Sequence, residues 1–249
     1  GSVEAERITF NEKTIWRGGP NTAKGADYYW NVNKQSAHLL DEIRQAFTEG
    51  NQEKAEMLTR QNFNSEVSYD ADGETPFRFG SFTTMGEFYV ETGLNIIGMS
   101  DYKRILSLDS AMAVVQFKKD HVAYQRNYFI SYPANVMVMR FSADQPGKQN
   151  LVFSYAPNPV STGNMASDSN KGLVYSASLD NNGMKYVVRI QAETKGGTLF
   201  NADGKLTVKG ADEVVFYITA DTDYKPNFDP DFKDPKTYVG VNPEETTKQ

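Results

Sequence analysis

Apolar and polar positions change period twice along the chain. Glu6-Arg7-Ile8-Thr9-Phe10 alternates with a period of two and predicts a strand. Asn11 to Trp16 follows, and the Gly-Gly-Pro of Arg17-Gly18-Gly19-Pro20 forces a loop. Helical spacing comes next, with Leu39, Leu40, Ile43, Ala46 and Phe47 recurring on one face, Ser36 as the cap and Gly50 as the stop. A second helix fits Glu53 to Asn62, with Ala55, Met57 and Leu58 as its apolar members. Together they predict a helical insertion over about 35–62, a short αα-hairpin. Asn64 to Gly80 is polar, broken by Gly and Pro, and predicts loop.

From Phe82 the period returns to two. Strands are predicted at 86–91, 102–108, 111–117, 122–130, 136–141, 151–155, 173–179, 185–193, 197–200, 205–208 and 213–220. Lys119-Asp120, Tyr132 to Asn135, Asn182-Gly183 and Asp203-Gly204 are the turns between them. Asn158 to Lys171 is rich in Ser, Asn and Gly and predicts a long exposed loop; Asp221 to Gly240, with three prolines, predicts a linker. Strands joined by such short turns pair antiparallel, because parallel pairs need longer crossovers. The fold class that follows is mainly β, a large antiparallel β-sandwich with a short helical hairpin near the N-terminus. The sandwich is expected over 1–222, with a linker beginning in 223–249.

A chain of 249 residues can bury a large core without staples. With no cysteine, disulfides, thiolate metal sites and Cys nucleophiles are excluded, and with only two histidines a His-rich metal site is not expected. The net charge of -6 argues against nucleic acid and anionic membranes as partners. Mean hydropathy is -0.57, and no run approaches the ~20 apolar residues of a membrane span. Gly1-Ser2 reads as a remnant of expression, and both ends read as cut from a longer protein.

Candidate chemistry is sparse. Asp70, Asp72 and Glu74 flank Gly73 but lack the spacing and distal Glu of an EF-hand, so they read as a solvated loop. Asp229, Asp231 and Asp234 alternate with prolines and read as linker. A glycosidase needs two carboxylates at a defined separation, and 32 acids always offer candidates, so that test has no power here. No G-x-S-x-G elbow or phosphate loop is present; Gly18-Gly19 and Gly196-Gly197 lack the strand–loop–helix context. His121 falls in a predicted turn and His38 on a polar helix face. Trp16 precedes the Gly-Gly-Pro loop, and Tyr28, Tyr29 and Trp30 cluster before the first helix. Such rings can stack on the apolar faces of sugars, or pack the helical hairpin.

Two segments carry a family resemblance. Arg7-Ile8-Thr9-Phe10-Asn11-Glu12-Lys13-Thr14-Ile15-Trp16-Arg17-Gly18-Gly19-Pro20 resembles the N-E-x-T-hydrophobic-W-x-G-G-P segment of family 95 glycoside hydrolases, the inverting α-L-fucosidases. Met85 to Val90, Asp101 to Ala111 and Gly210 to Tyr224 are similar to strands of the same family. The resemblance implies an N-terminal β-supersandwich domain. It also implies that the catalytic groups sit in a following (α/α)6 barrel, so that no catalytic residue is expected in this chain. Disaccharide phosphorylases share this domain order. The implied partners are that barrel and a fucosylated or related oligosaccharide, without a cofactor or metal, in a periplasmic or secreted protein. Asn11, Glu12, Trp16, Arg17, Gly18 and Gly19 are the candidate edge of the sugar pocket, and Tyr28, Tyr29 and Trp30 the candidate stacking residues. A free-standing carbohydrate-binding or adhesion module is the alternative, and a calcium-stabilised module using Asp70 and Asp72 a third.

Overall fold

A computed structural model describes residues 1–17, 36–63, 81–180, 182–229 and 235–248. The strands are β1 (Ala5–Phe10), β2 (Trp16–Arg17), β3 (Ser81–Phe82), β4 (Gly86–Glu91), β5 (Met99–Ser107), β6 (Met112–Lys119), β7 (Val122–Ser131), β8 (Val136–Ala143), β9 (Gln149–Pro157), β10 (Ser161–Ser169), β11 (Gly172–Leu179), β12 (Lys185–Lys195), β13 (Thr198–Ala202), β14 (Lys205–Ala211) and β15 (Glu213–Thr222). The helices are α1 (Leu40–Thr48), α2 (Gln52–Asn62) and α3 (Pro243–Thr246). Contacts divide the chain into a sandwich unit, Gly1–Ile15 with Phe82–Pro226 and Val239–Gln249, and a second unit, Trp16–Ser81 with Asn227–Tyr238.

The sandwich has a five-stranded sheet, ordered β1-β4-β9-β14-β13, and an eight-stranded sheet, ordered β10-β11-β12-β15-β8-β7-β6-β5. All the paired strands in both are antiparallel, as the short turns require. Alternation puts Phe88, Phe153, Leu206 and Val208 of the first sheet against Phe141, Val188, Ile190 and Phe216 of the second, in one core. Phe153 and Phe216 stack across the sheets with centroids 4.8 Å apart, and Tyr155 meets Tyr175 edge-on at 5.5 Å. At one end the Arg126 guanidinium, 4% exposed, pairs with Glu6 at 2.5 Å and donates to the Ser2 and Val3 carbonyls at 2.6 and 2.7 Å. The rings of Phe117 and Phe141 lie 5.1 and 5.8 Å from it.

The predicted loop from Asn158 to Lys171 is instead strand β10. Its residues are weak strand formers, and pairing on one side with β11 imposes the extended backbone. Gly163 permits the close approach, since a Cβ there would meet that of Ala177 at 2.4 Å. As an edge strand open to solvent on both faces, β10 needs no apolar alternation, so the usual signal was absent. Tyr186 to Ile190 in β12 are buried consecutively rather than alternately. The reason is the segment Val239–Lys248, which folds back over the outer face. The Gly240 and Val241 N–H groups donate to the Asp223 carbonyl at 3.0 and 3.2 Å, and the Thr219 hydroxyl donates to Thr247 at 2.8 Å. Glu244 of α3 accepts from Ser176 and lies 3.5 Å from Arg189, which also pairs with Asp168.

In the second unit, α1 and α2 form the expected hairpin around Ile43, Ala46 and Ala55. Leu40, Phe47 and Met57, among the apolar positions of the two predicted helices, are exposed. Ser36 makes no side-chain cap bond and precedes a short 3-10 turn; the cap that forms is Asn51, which accepts from the Lys54 N–H at 3.1 Å. His38 and His121 are both exposed.

Candidate functional site

Between β1 and β4 the chain leaves the sandwich unit for the segment Trp16–Ser81, and the motif residues Asn11 to Ile15 stand just before it. Long excursions from a rigid scaffold are where binding groups concentrate. The exit is built by Asn11 to Ile15. The Glu12 carboxylate accepts from the Thr14 N–H at 2.7 Å and from the Thr14 hydroxyl. The hydroxyl of Thr222, fully buried at the end of β15, lies 2.5 Å from that of Thr14. The Ile15 N–H donates to the Glu12 carbonyl at 3.2 Å, and its side chain is fully buried. The Asn-Glu-x-Thr-Ile pattern is thus a closed turn that fastens the exit to the sheet. Asn11 is exposed.

The return is fastened as firmly. The Thr83 N–H donates to the Ile15 carbonyl at 3.4 Å, and the Met85 N–H to the Phe10 carbonyl at 2.9 Å. Buried Asn158 donates from its amide to the Thr83 hydroxyl at 3.0 Å and the Thr84 carbonyl at 2.6 Å, and accepts from the Val160 N–H at 3.0 Å. The Tyr155 hydroxyl donates to the Met85 carbonyl at 2.6 Å; burial raises its pKa. Gly86 has φ +152°, and a Cβ there would lie 2.4 Å from the Ala156 carbonyl, so the strand needs glycine at this point. Asn158→Ala should cost about 1–3 kcal/mol, because it strands a buried carbonyl and N–H at the root. Guanidinium denaturation measures this, and an unchanged midpoint would remove Asn158 from the anchoring role.

Asp223, next to Thr222, is buried and accepts the Lys185 N–H at 3.2 Å. Burial raises its pKa, and the Lys185 N–H only partly opposes this. The folded protein therefore holds this proton more tightly than the unfolded chain. The stability Asp223 contributes is present below the ordinary carboxylate range and is lost as pH rises through the folded value. Asp223→Asn should stabilise the protein at pH 7 more than at pH 3. Equal effects at both pH values in urea melts would contradict this.

The structure therefore brings Asn11 and Glu12 to the root. Trp16 and Arg17 form β2 at the start of the second unit, with Trp16 44% exposed and Arg17 half-buried. Gly18, Gly19, Tyr28, Tyr29, Trp30, Asp70, Asp72 and Glu74 lie outside the described residues. Glu12 is the carboxylate at the root, and it is spent on holding the turn. Among the described residues no group of three or more His, Asp or Glu is placed to hold a metal. Sequence reading missed Asn158 and Thr222. Asn158-Pro159 carries only a turn signal, and Thr222 looks like any strand threonine.

Residues 1–227 match the family model described as glycosyl hydrolase family 65, N-terminal domain. A probable alpha-fucosidase A of Aspergillus niger is 28% identical over 90% of this chain and 27% of its own length. An alpha-L-fucosidase 2 of Arabidopsis thaliana is 26% identical over 94% of this chain and 28% of its own. The chain thus spans less than a third of these relatives. A solved structure described as a putative kojibiose phosphorylase from human microbiome aligns with 58% of this chain and 23% of its own, at TM-score 0.40 and 11% identity.

Proposed function

The chain belongs to the family of glycosyl hydrolase family 65 N-terminal domains, and on that premise we propose that it serves a fucosidase-like enzyme of the family 95 kind as its non-catalytic scaffold. In this reading the sandwich packs on a catalytic domain of the same polypeptide, and the excursion from Trp16 onward forms one wall of the sugar pocket. One observation supports it most. A long segment carrying the Trp-x-Gly-Gly-Pro motif leaves the sandwich from a root locked on both sides by Glu12, Thr14, Thr222 and Asn158. Fucosidase names on relatives more than three times as long agree with chemistry housed elsewhere.

The test compares this chain with its full-length parent on an aryl α-L-fucoside. We expect no turnover by the chain alone and activity in the parent. Trp16→Ala in the parent should raise KM about tenfold, the loss of one stacking contact, while its melting temperature holds. Turnover by the chain alone at the parent's rate would defeat the proposal. Saturable glycan binding by the chain alone, abolished in Tyr29→Ala or Trp30→Ala, would favour the free-standing module instead.

A further inference from the structure

The outer face of β5 to β8 carries a groove of about 600 Å³ within the sandwich unit, in the size range of small-molecule sites. Its floor follows from register. Lys103 of β5 lies opposite Gln116 of β6, and Gln116 opposite Gln125 of β7. Gln125 in turn lies opposite Ser142 of β8, and Ser142 opposite Glu213 of β15. These positions alternate with buried Phe117, Arg126 and Phe141, so the five side chains stand in one row on the face turned from the core. Strand spacing sets them about 4.8 Å apart, and the row runs about 19 Å across the sheet. The Gln116 amide donates to the Gln125 side-chain oxygen at 2.9 Å, and the Gln125 amide donates to that of Asn127 at 3.0 Å. This chain of bonds fixes the amides and leaves each with further donors and acceptors for a ligand. Charge cancels around the row. Lys118 pairs with Asp101 at 2.9 Å, Arg140 pairs with Glu213 at 2.5 Å, and Asp144 supplies a third carboxylate against Lys103.

We propose that this groove binds a neutral oligosaccharide laid across the strands. Three observations choose that ligand. A floor of amides and a hydroxyl, repeating at a spacing close to one pyranose ring per strand, offers a hydrogen-bonding group to each sugar unit. The matched charges hold no surplus for a phosphate or a polyanion. The chain also belongs to a domain family of glycosyl hydrolases. The groove uses no residue of the excursion from Trp16 onward, so its failure and that of the scaffold reading are separable. Its contacts are hydrogen bonds exchanged with water, so the affinity is about millimolar.

Amide shifts in nuclear magnetic resonance test this, followed on the full chain during titration with cellotetraose, xylotetraose, maltotetraose and 2′-fucosyllactose. At least one of these sugars should shift amides of β5 to β8 saturably, with a Kd of about 1 mM that holds between about 50 and 500 mM salt. Gln125→Ala should weaken binding about fivefold to tenfold. Ser142→Leu, which fills the middle of the row, should weaken it by more than about tenfold while the melting temperature holds. Trp30→Ala should leave it unchanged. Failure of all these sugars to shift the four strands at about 20 mM would overturn the proposal. So would binding indifferent to both Gln125→Ala and Ser142→Leu, binding lost in high salt, or binding that Trp30→Ala abolishes.

Discussion

Phe153→Ala is expected to lower the unfolding free energy by about 3–5 kcal/mol, among the largest losses for any single side chain in this protein. Phe153 is fully buried in β9 and stacks at 4.8 Å on Phe216 of the facing sheet. Phe88 lies 5.6 Å away on the neighbouring strand. Truncation empties the space between the sheets at a point where both backbones are held in long antiparallel ladders, so the walls cannot collapse inward. Phe153→Leu refills most of that volume and should cost less than half as much. Chemical denaturation at one pH and temperature measures both. A loss below about 1 kcal/mol for the alanine variant would mean that the sheets do not depend on this contact.

Arg126→Met should cost a similar amount, about 3–5 kcal/mol, for an electrostatic reason. The guanidinium is 4% exposed and the Glu6 side chain 3%, and the pair joins β7 of one sheet to β1 of the other. Methionine fills the space between Phe117 and Phe141 but takes the guanidinium from the buried Glu6 carboxylate, which keeps only the Gly1 ammonium at 3.0 Å as a cationic partner. It also leaves two carbonyls, of Ser2 and Val3, without their donor. The penalty thus comes mostly from the groups left behind, and the double variant Arg126→Met with Glu6→Leu should recover a large part of it. A double variant as unstable as the single one would show that the charge on Glu6 is not the source. Because the pair pins the first strand, hydrogen exchange in Ala5–Phe10 should accelerate in Arg126→Met.

Much of the sandwich was legible in the sequence, because strands covered on one face must alternate. The strand predicted at 86–91 coincides with β4, and the runs at 122–130 and 213–220 fall within β7 and β15. Where alternation is not required, reading failed. β10 is exposed on both sides and so resembled a loop, while consecutive burial in β12 depends on residues some fifty positions later. The candidate site was legible as a motif and illegible as a mechanism. Glu12 and Thr14 stood out by pattern. Their use as a closed turn depends on Thr222, more than two hundred residues away, and the return depends on Asn158. Such long-range hydrogen bonds leave no periodicity in the sequence.

The hydrogen bond from Thr83 to the Ile15 carbonyl closes the base of the excursion. The entropy of closing a loop grows only with the logarithm of its length. Trimming or lengthening what hangs beyond this clasp therefore barely taxes the two sheets. An insertion hung on such a clasp is free to vary in length and composition while the frame beneath it keeps its own stability.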